Sequence, residues 1–201
     1  MASSARARAA LRLVLAVLLL AGCRPATEMS DGKAALELGR RYSQGSGVRR
    51  DPSRAAALYE QACNKGEPEG CTHLGAMYLI GEGVGREPSR AIQLLEKACG
   101  GHHDAGCTEL ALLYRRGKAV ASNPVRAAEL LDAACAIGRG PSPCTFLAEM
   151  YEQGEGVAAD PQRAGLLYGR ACLLGDEMQC GKATRVFPTA APSAPALGSK
   201  R

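Results

Sequence analysis

The 201-residue chain has no Trp, only two Phe and three His. A core without large rings is filled by small and medium aliphatic side chains, and the abundance of Ala, Leu and Gly suits helices packed closely together. A basic stripe is also lacking. Of 25 Lys and Arg, three (Arg6, Arg8 and Arg12) lie at the extreme N-terminus, and the remaining 22 nearly balance the 20 Asp and Glu. With few aromatics to stack on bases and no concentrated positive charge, no nucleic-acid partner is expected. P-loop, GxGxxG, HExxH, CxxC and CxxCH motifs are all missing. Their absence removes the recognisable signatures of nucleotide, zinc-hydrolase, dithiol and haem chemistry, so no cofactor is expected. No Ser or Cys recurs beside His73, His102 or His103, and catalytic residues stay unknown.

The apolar run Leu13–Ala21 falls short of the about 20 residues that a membrane-spanning helix needs. It follows the three N-terminal arginines and ends in LAGC, Leu20–Cys23. A cysteine directly after Ala21-Gly22 resembles the lipobox of bacterial lipoproteins. That resemblance implies residues 1–22 as a signal peptide and a lipid on Cys23, with residues 23–33 as a flexible tether. The chain would then meet the membrane through that lipid. It would sit in the bacterial cell envelope, at the outer membrane facing the periplasm, with secretion or the cell surface as the alternative.

Cysteines raise a sharper question. The stretch ACGGHHDAGC places Cys99, His102, His103 and Cys107 within ten residues, and all four are zinc-ligand types. The rest of the chain narrows the choice, because the sequence repeats. Tyr42, Tyr78, Tyr114 and Tyr151 recur at spacings of 36, 36 and 37. Gly45, Gly81, Gly117 and Gly154 keep step, as do Pro52, Pro88, Pro124 and Pro161. So do Arg54, Arg90, Arg126 and Arg163, the first cysteines Cys63, Cys99, Cys135 and Cys172, and the second cysteines Cys71, Cys107, Cys144 and Cys180.

Each unit reads as helix, loop, helix. In the first helix of a unit (helix A), Cys71, Leu74, Gly75 and Tyr78 share one face and Gly81 ends the run. The second (helix B) begins at the recurring proline behind a capping residue: Asp51, Asn123 or Asp160, with the weaker Glu87 in the second unit. The third unit has Ala119 where the others carry a second loop glycine, and a positive φ there would be strained, so a local difference is expected. The arginines stand near helix-B N-termini, where the helix dipole disfavours them, which points to packing or an internal ion pair.

YLIGEGVGREPSRAIQLLEKAC resembles a Sel1-like repeat, a relative of the tetratricopeptide repeat. The added cysteine pair resembles the secreted cysteine-rich Sel1 proteins, some of which carry a β-lactamase label. The resemblance implies an all-α solenoid over residues 34–187, with four repeats and a C-terminal half-repeat, followed by a disordered Pro/Ala-rich tail at 188–201. It also implies a monomeric protein-interaction module with a protein or peptide partner. The enzyme alternative is a β-lactam-hydrolysing or penicillin-binding protein. For that alternative the only motif match is SDGK, Ser30–Lys33, placed in the tether without its companion motifs.

A recurring metal site would repeat its nitrogen ligands along with its sulfurs. The equivalent loops NKGEPEG, AIGRGPSP and LLGDEMQ contain no His. The sulfurs recur alone, across short reversals, so disulfides 63–71, 99–107, 135–144 and 172–180 are expected and no metal.

Opposite the core, helix A carries Glu37, Arg40 and Gln44 in the first unit and His73, Ala76 and Ile80 in the second. Glu109, Leu112 and Arg116 follow in the third, then Phe146, Glu149 and Gln153, with Lys182 and Arg185 continuing the line. These columns vary freely where the core columns do not. His73, Ile80, Glu109, Leu112, Arg116, Phe146 and Glu149 are therefore the candidate partner-binding residues.

Overall fold

A computed structural model describes residues 30–186. The signal peptide, Cys23 and the tail from residue 188 lie outside the described residues, as does most of the tether. The helices are α1 (Asp31–Gln44), α2 (Pro52–Asn64), α3 (Pro68–Ile80), α4 (Pro88–Gly100), α5 (Asp104–Arg116), α6 (Pro124–Ile137), α7 (Ser142–Gln153), α8 (Pro161–Leu173) and α9 (Glu177–Val186). No strand occurs among the described residues. Odd-numbered helices are the A helices and even-numbered ones the B helices. Each packs against its neighbours in sequence, while α3 also meets α5 and α5 meets α7. Approach of A helices to one another places them on the inner side of the stack.

The local chemistry behaves as its residue types require. Asp51, Asn123 and Asp160 accept the backbone N–H groups of Arg54, Arg126 and Arg163 at 3.1, 3.0 and 2.9 Å, while Glu87 makes no such cap. α3, α5 and α7 each end on a left-handed glycine, Gly81, Gly117 or Gly154. The core is built on small residues: Ala55, Ala62, Ala91, Ala98, Ala127, Ala134 and Ala171 are each 0 % exposed, which lets the helix backbones approach closely.

The first helix starts at Asp31, inside the stretch read as tether, so Lys33 belongs to its first turn and Ser30 immediately precedes it. The reading of SDGK as loose tether is corrected accordingly. A second correction concerns Ala119. Its φ of 74° matches the 72°, 71° and 72° of Gly47, Gly83 and Gly156, so the third loop keeps the shared backbone path and carries the strain. Gly117 before it and Pro124 after it hold the ends of that path. A left-handed alanine costs about 1–2 kcal/mol. Ala119→Gly is expected to stabilise the protein by about 1 kcal/mol, read as a higher urea midpoint at unchanged slope.

Each cysteine pair is a disulfide joining a B helix to the next A helix. Cα–Cα distances are 4.6 Å for Cys63–Cys71, 4.5 Å for Cys99–Cys107, 4.8 Å for Cys135–Cys144 and 5.0 Å for Cys172–Cys180. Cys99 and Cys107 are therefore committed to each other. His103 Nδ1 lies 2.9 Å from the hydroxyl of Thr72 in the preceding A helix, and His102 is exposed. No group of metal-ligating side chains is gathered among the described residues.

Candidate interaction face

The recurring arginines are explained by the recurring tyrosines twelve positions before them. Arg54, Arg90 and Arg163 lie over the rings of Tyr42, Tyr78 and Tyr151, at 5.6, 4.7 and 4.6 Å from the ring centres. Arg90 also pairs with Glu60 of α2 at 2.9 Å and Arg163 with Asp132 of α6 at 3.9 Å, which tie successive B helices together. The third repeat departs, since Arg126 turns to Glu129 at 2.7 Å. Sequence reasoning left the role of these arginines open, although the constant Tyr-to-Arg offset was visible.

On the inner face, charge is largely neutralised internally. Arg40 of α1 pairs with Glu37 at 3.4 Å and makes a closer contact with Glu69 of α3. His73 stacks on Tyr59 with ring centres 4.8 Å apart, and its Nε2 lies 3.5 Å from Glu69. Burial raises the Glu69 pKa, but the Arg40 hydrogen bond and charge outweigh it and hold the carboxylate below its usual range. At His73 burial dominates and lowers the pKa below the ordinary imidazole value, against the pull of Glu69. The folded state then binds fewer protons at His73 than the unfolded chain. Stability is lost as pH falls from the ordinary imidazole range through the lowered value. His73→Phe keeps a ring on Tyr59 and is expected to reduce the loss of urea resistance between about pH 7.5 and about pH 5.

Further along, Arg115 of α5 reaches Glu149 of α7 at 3.4 Å and Glu155 in the following loop at 2.7 Å. This one-off bridge was missed by sequence reasoning because Arg115 has no arginine counterpart in the other repeats. Phe146 is half-buried and packs against the core formed by α4 to α7. At the closing end, the Tyr168 hydroxyl donates to Glu152 at 2.7 Å, and the Lys182 ammonium lies 4.5 Å over the Tyr168 ring. Burial first, then that carboxylate, pushes the Tyr168 phenol well up. The side chain of Arg185 lies outside the described part.

The candidate binding residues thus divide. His73, Phe146 and Glu149 have internal partners, Leu112 is half-buried, and Ile80, Glu109 and Arg116 face solvent, Ile80 at 67 % exposure.

A stack of helix pairs with an irregular inner face defines a helical-repeat scaffold. The Sel1 repeat matches residues 32–67, 68–102, 104–138 and 144–176, and the chain belongs to the Sel1 repeat family. Proteins of this family are generally protein-interaction scaffolds. Among solved structures, a protective antigen of uropathogenic Escherichia coli with an SLR fold is 28% identical with a TM-score of 0.70, covering 77% of this chain and 33% of that one. A Sel1 repeat protein from Oxalobacter formigenes is 22% identical with a TM-score of 0.69, covering 77% and 61%. Helicobacter pylori cysteine rich protein B is 29% identical with a TM-score of 0.53, covering 68% and 98%. The chain therefore spans a third of the first of these proteins and under two thirds of the second. A search of curated proteins by sequence found no match. The disulfides agree with a location outside the cytoplasm, where such bonds persist. Among the described residues no helix is long and apolar enough to cross a membrane.

Proposed function

We propose that the protein is an extracytoplasmic interaction module, tethered by a lipid on Cys23, that binds a peptide or a segment of a partner protein along the inner face of its A helices. The observation that carries this reading is the contrast between columns. Core positions hold the same residue types from repeat to repeat, whereas the inner positions differ in each and leave Ile80 exposed at the end of α3. A large aliphatic side chain on an inward face is a natural anchor for a partner's apolar residue. Residues 23–30, ahead of the start of α1, then act as the spacer from the membrane.

The test is selection of a random peptide library on the immobilised, oxidised protein. Enriched sequences are expected on the native protein and are expected to be lost on an Ile80→Ser/Leu112→Ser variant of unchanged helicity. Absence of enrichment on the native protein would defeat the reading. The β-lactam alternative has its own assay: chromogenic cephalosporin turnover is expected to stay at the level of a heat-denatured control.

A further inference from the structure

On the reading that the inner face binds a peptide, we infer that α5 selects the partner by charge, taking a segment with one basic and one acidic side chain on either side of an apolar one. The argument is a census of the inner columns. Arg40 is paired with both Glu37 and Glu69, and Glu149 is held by Arg115. His73 stacks on Tyr59 against Glu69, and Lys182 lies over Tyr168. Among the described residues of these columns, Glu109 and Arg116 alone are exposed charges with no ion pair or hydrogen bond to their side chains.

Both stand on α5, the middle A helix, seven positions apart on one face. Two helical turns separate them by about 10 Å along the axis. Leu112 lies between them, and Ile80 of α3 is at the level of Arg116 in the neighbouring column. Charges already neutralised inside the protein contribute little to choosing a partner, whereas free charges of opposite sign reward a segment of complementary order and repel one of uniform sign. The face therefore disfavours strongly acidic and strongly basic segments alike, and favours a mixed-charge, apolar-centred one.

The same peptide library supplies the test, applied to native protein, Glu109→Lys and Arg116→Glu. Neither substitution removes an internal contact, and equal thermal melting of the three proteins checks this. Native protein is expected to enrich peptides carrying both signs around an apolar residue. Glu109→Lys is expected to enrich acidic peptides, and Arg116→Glu basic ones. A synthetic peptide selected on native protein is expected to bind each variant about tenfold more weakly, with the difference shrinking as salt is raised. Enriched peptides with the same charge content on all three proteins would overturn the inference and leave the peptide-binding reading intact. Failure to enrich any peptide on native protein would overturn both.

Discussion

Gly83→Ala and Gly156→Ala are each expected to lower the free energy of unfolding by about 2–4 kcal/mol. Two costs combine. The backbone at these positions has φ of 71° and 72°, where an L side chain is strained. A Cβ built there would also lie 2.4 Å from the carbonyl carbon and oxygen of Pro52, or 2.3 and 2.4 Å from those of Pro124. Those atoms are backbone at the start of the preceding repeat's B helix and have no rotamer by which to retreat. The second loop glycine is thus where one repeat's loop sits on the previous repeat. Gly47 provides the comparison: its φ is 72°, but its nearest neighbour is the guanidinium of Arg41 at 3.3 Å. Gly47→Ala should cost about 1 kcal/mol, from strain alone. Gly85→Ala, with nothing within 4 Å and no positive φ, should be close to neutral. Urea unfolding of the four variants measures the series. Equal losses at Gly47 and Gly83 would show that the inter-repeat approach contributes nothing.

Reduction is expected to unfold the protein. Each disulfide closes a loop of sequence separation 8 or 9, and the chain-entropy relation assigns about 2.5 kcal/mol to a loop of this size. Four such contributions reach about 10 kcal/mol, comparable with the whole stability of an ordinary domain, about 5–15 kcal/mol. Far-UV circular dichroism at 37 °C should collapse on adding a strong dithiol. Intact mass should rise by eight hydrogens, two from each of the four bridges. The individual bridges should not be equivalent in what they release. Replacing both Cys172 and Cys180 by Ala frees only α9 from α8, so hydrogen exchange should speed up mainly in Glu177–Val186. Replacing Cys99 and Cys107 loosens the junction of the second and third repeats, and its effect should spread to both sides. A reduced protein that keeps its helicity and melting temperature would show that small-residue packing alone suffices.

How much of this was legible in the sequence depends on whether a feature recurs. The caps at Asp51, Asn123 and Asp160, the terminating glycines, and the pairing of each first cysteine with the second cysteine that follows all recur. Each follows from local chemistry that repeats with the period. The arginine column was visible, but its partner was not named, because stacking on Tyr42, Tyr78 and Tyr151 depends on how helix B folds back over helix A. Ala119 was expected to make its loop differ locally. Periodicity showed the unusual residue without showing that the fixed loop ends would impose the shared path on it.

The inner face was legible as a set of columns and not as a surface. Helical geometry placed His73, Phe146 and Glu149 with Ile80, Glu109 and Arg116, but only the packed structure separates residues with internal partners from those facing solvent. Arg115 joins side chains 34 and 40 positions away, and no other repeat has an arginine at its position, so no repeated pattern announces it. The sequence by itself determined the helical solenoid and its disulfides, because contacts between like neighbours reproduce themselves as a period along the chain. Only the tertiary structure decided which charges remain free, because neutralisation depends on the one neighbour that each repeat does not share with the others.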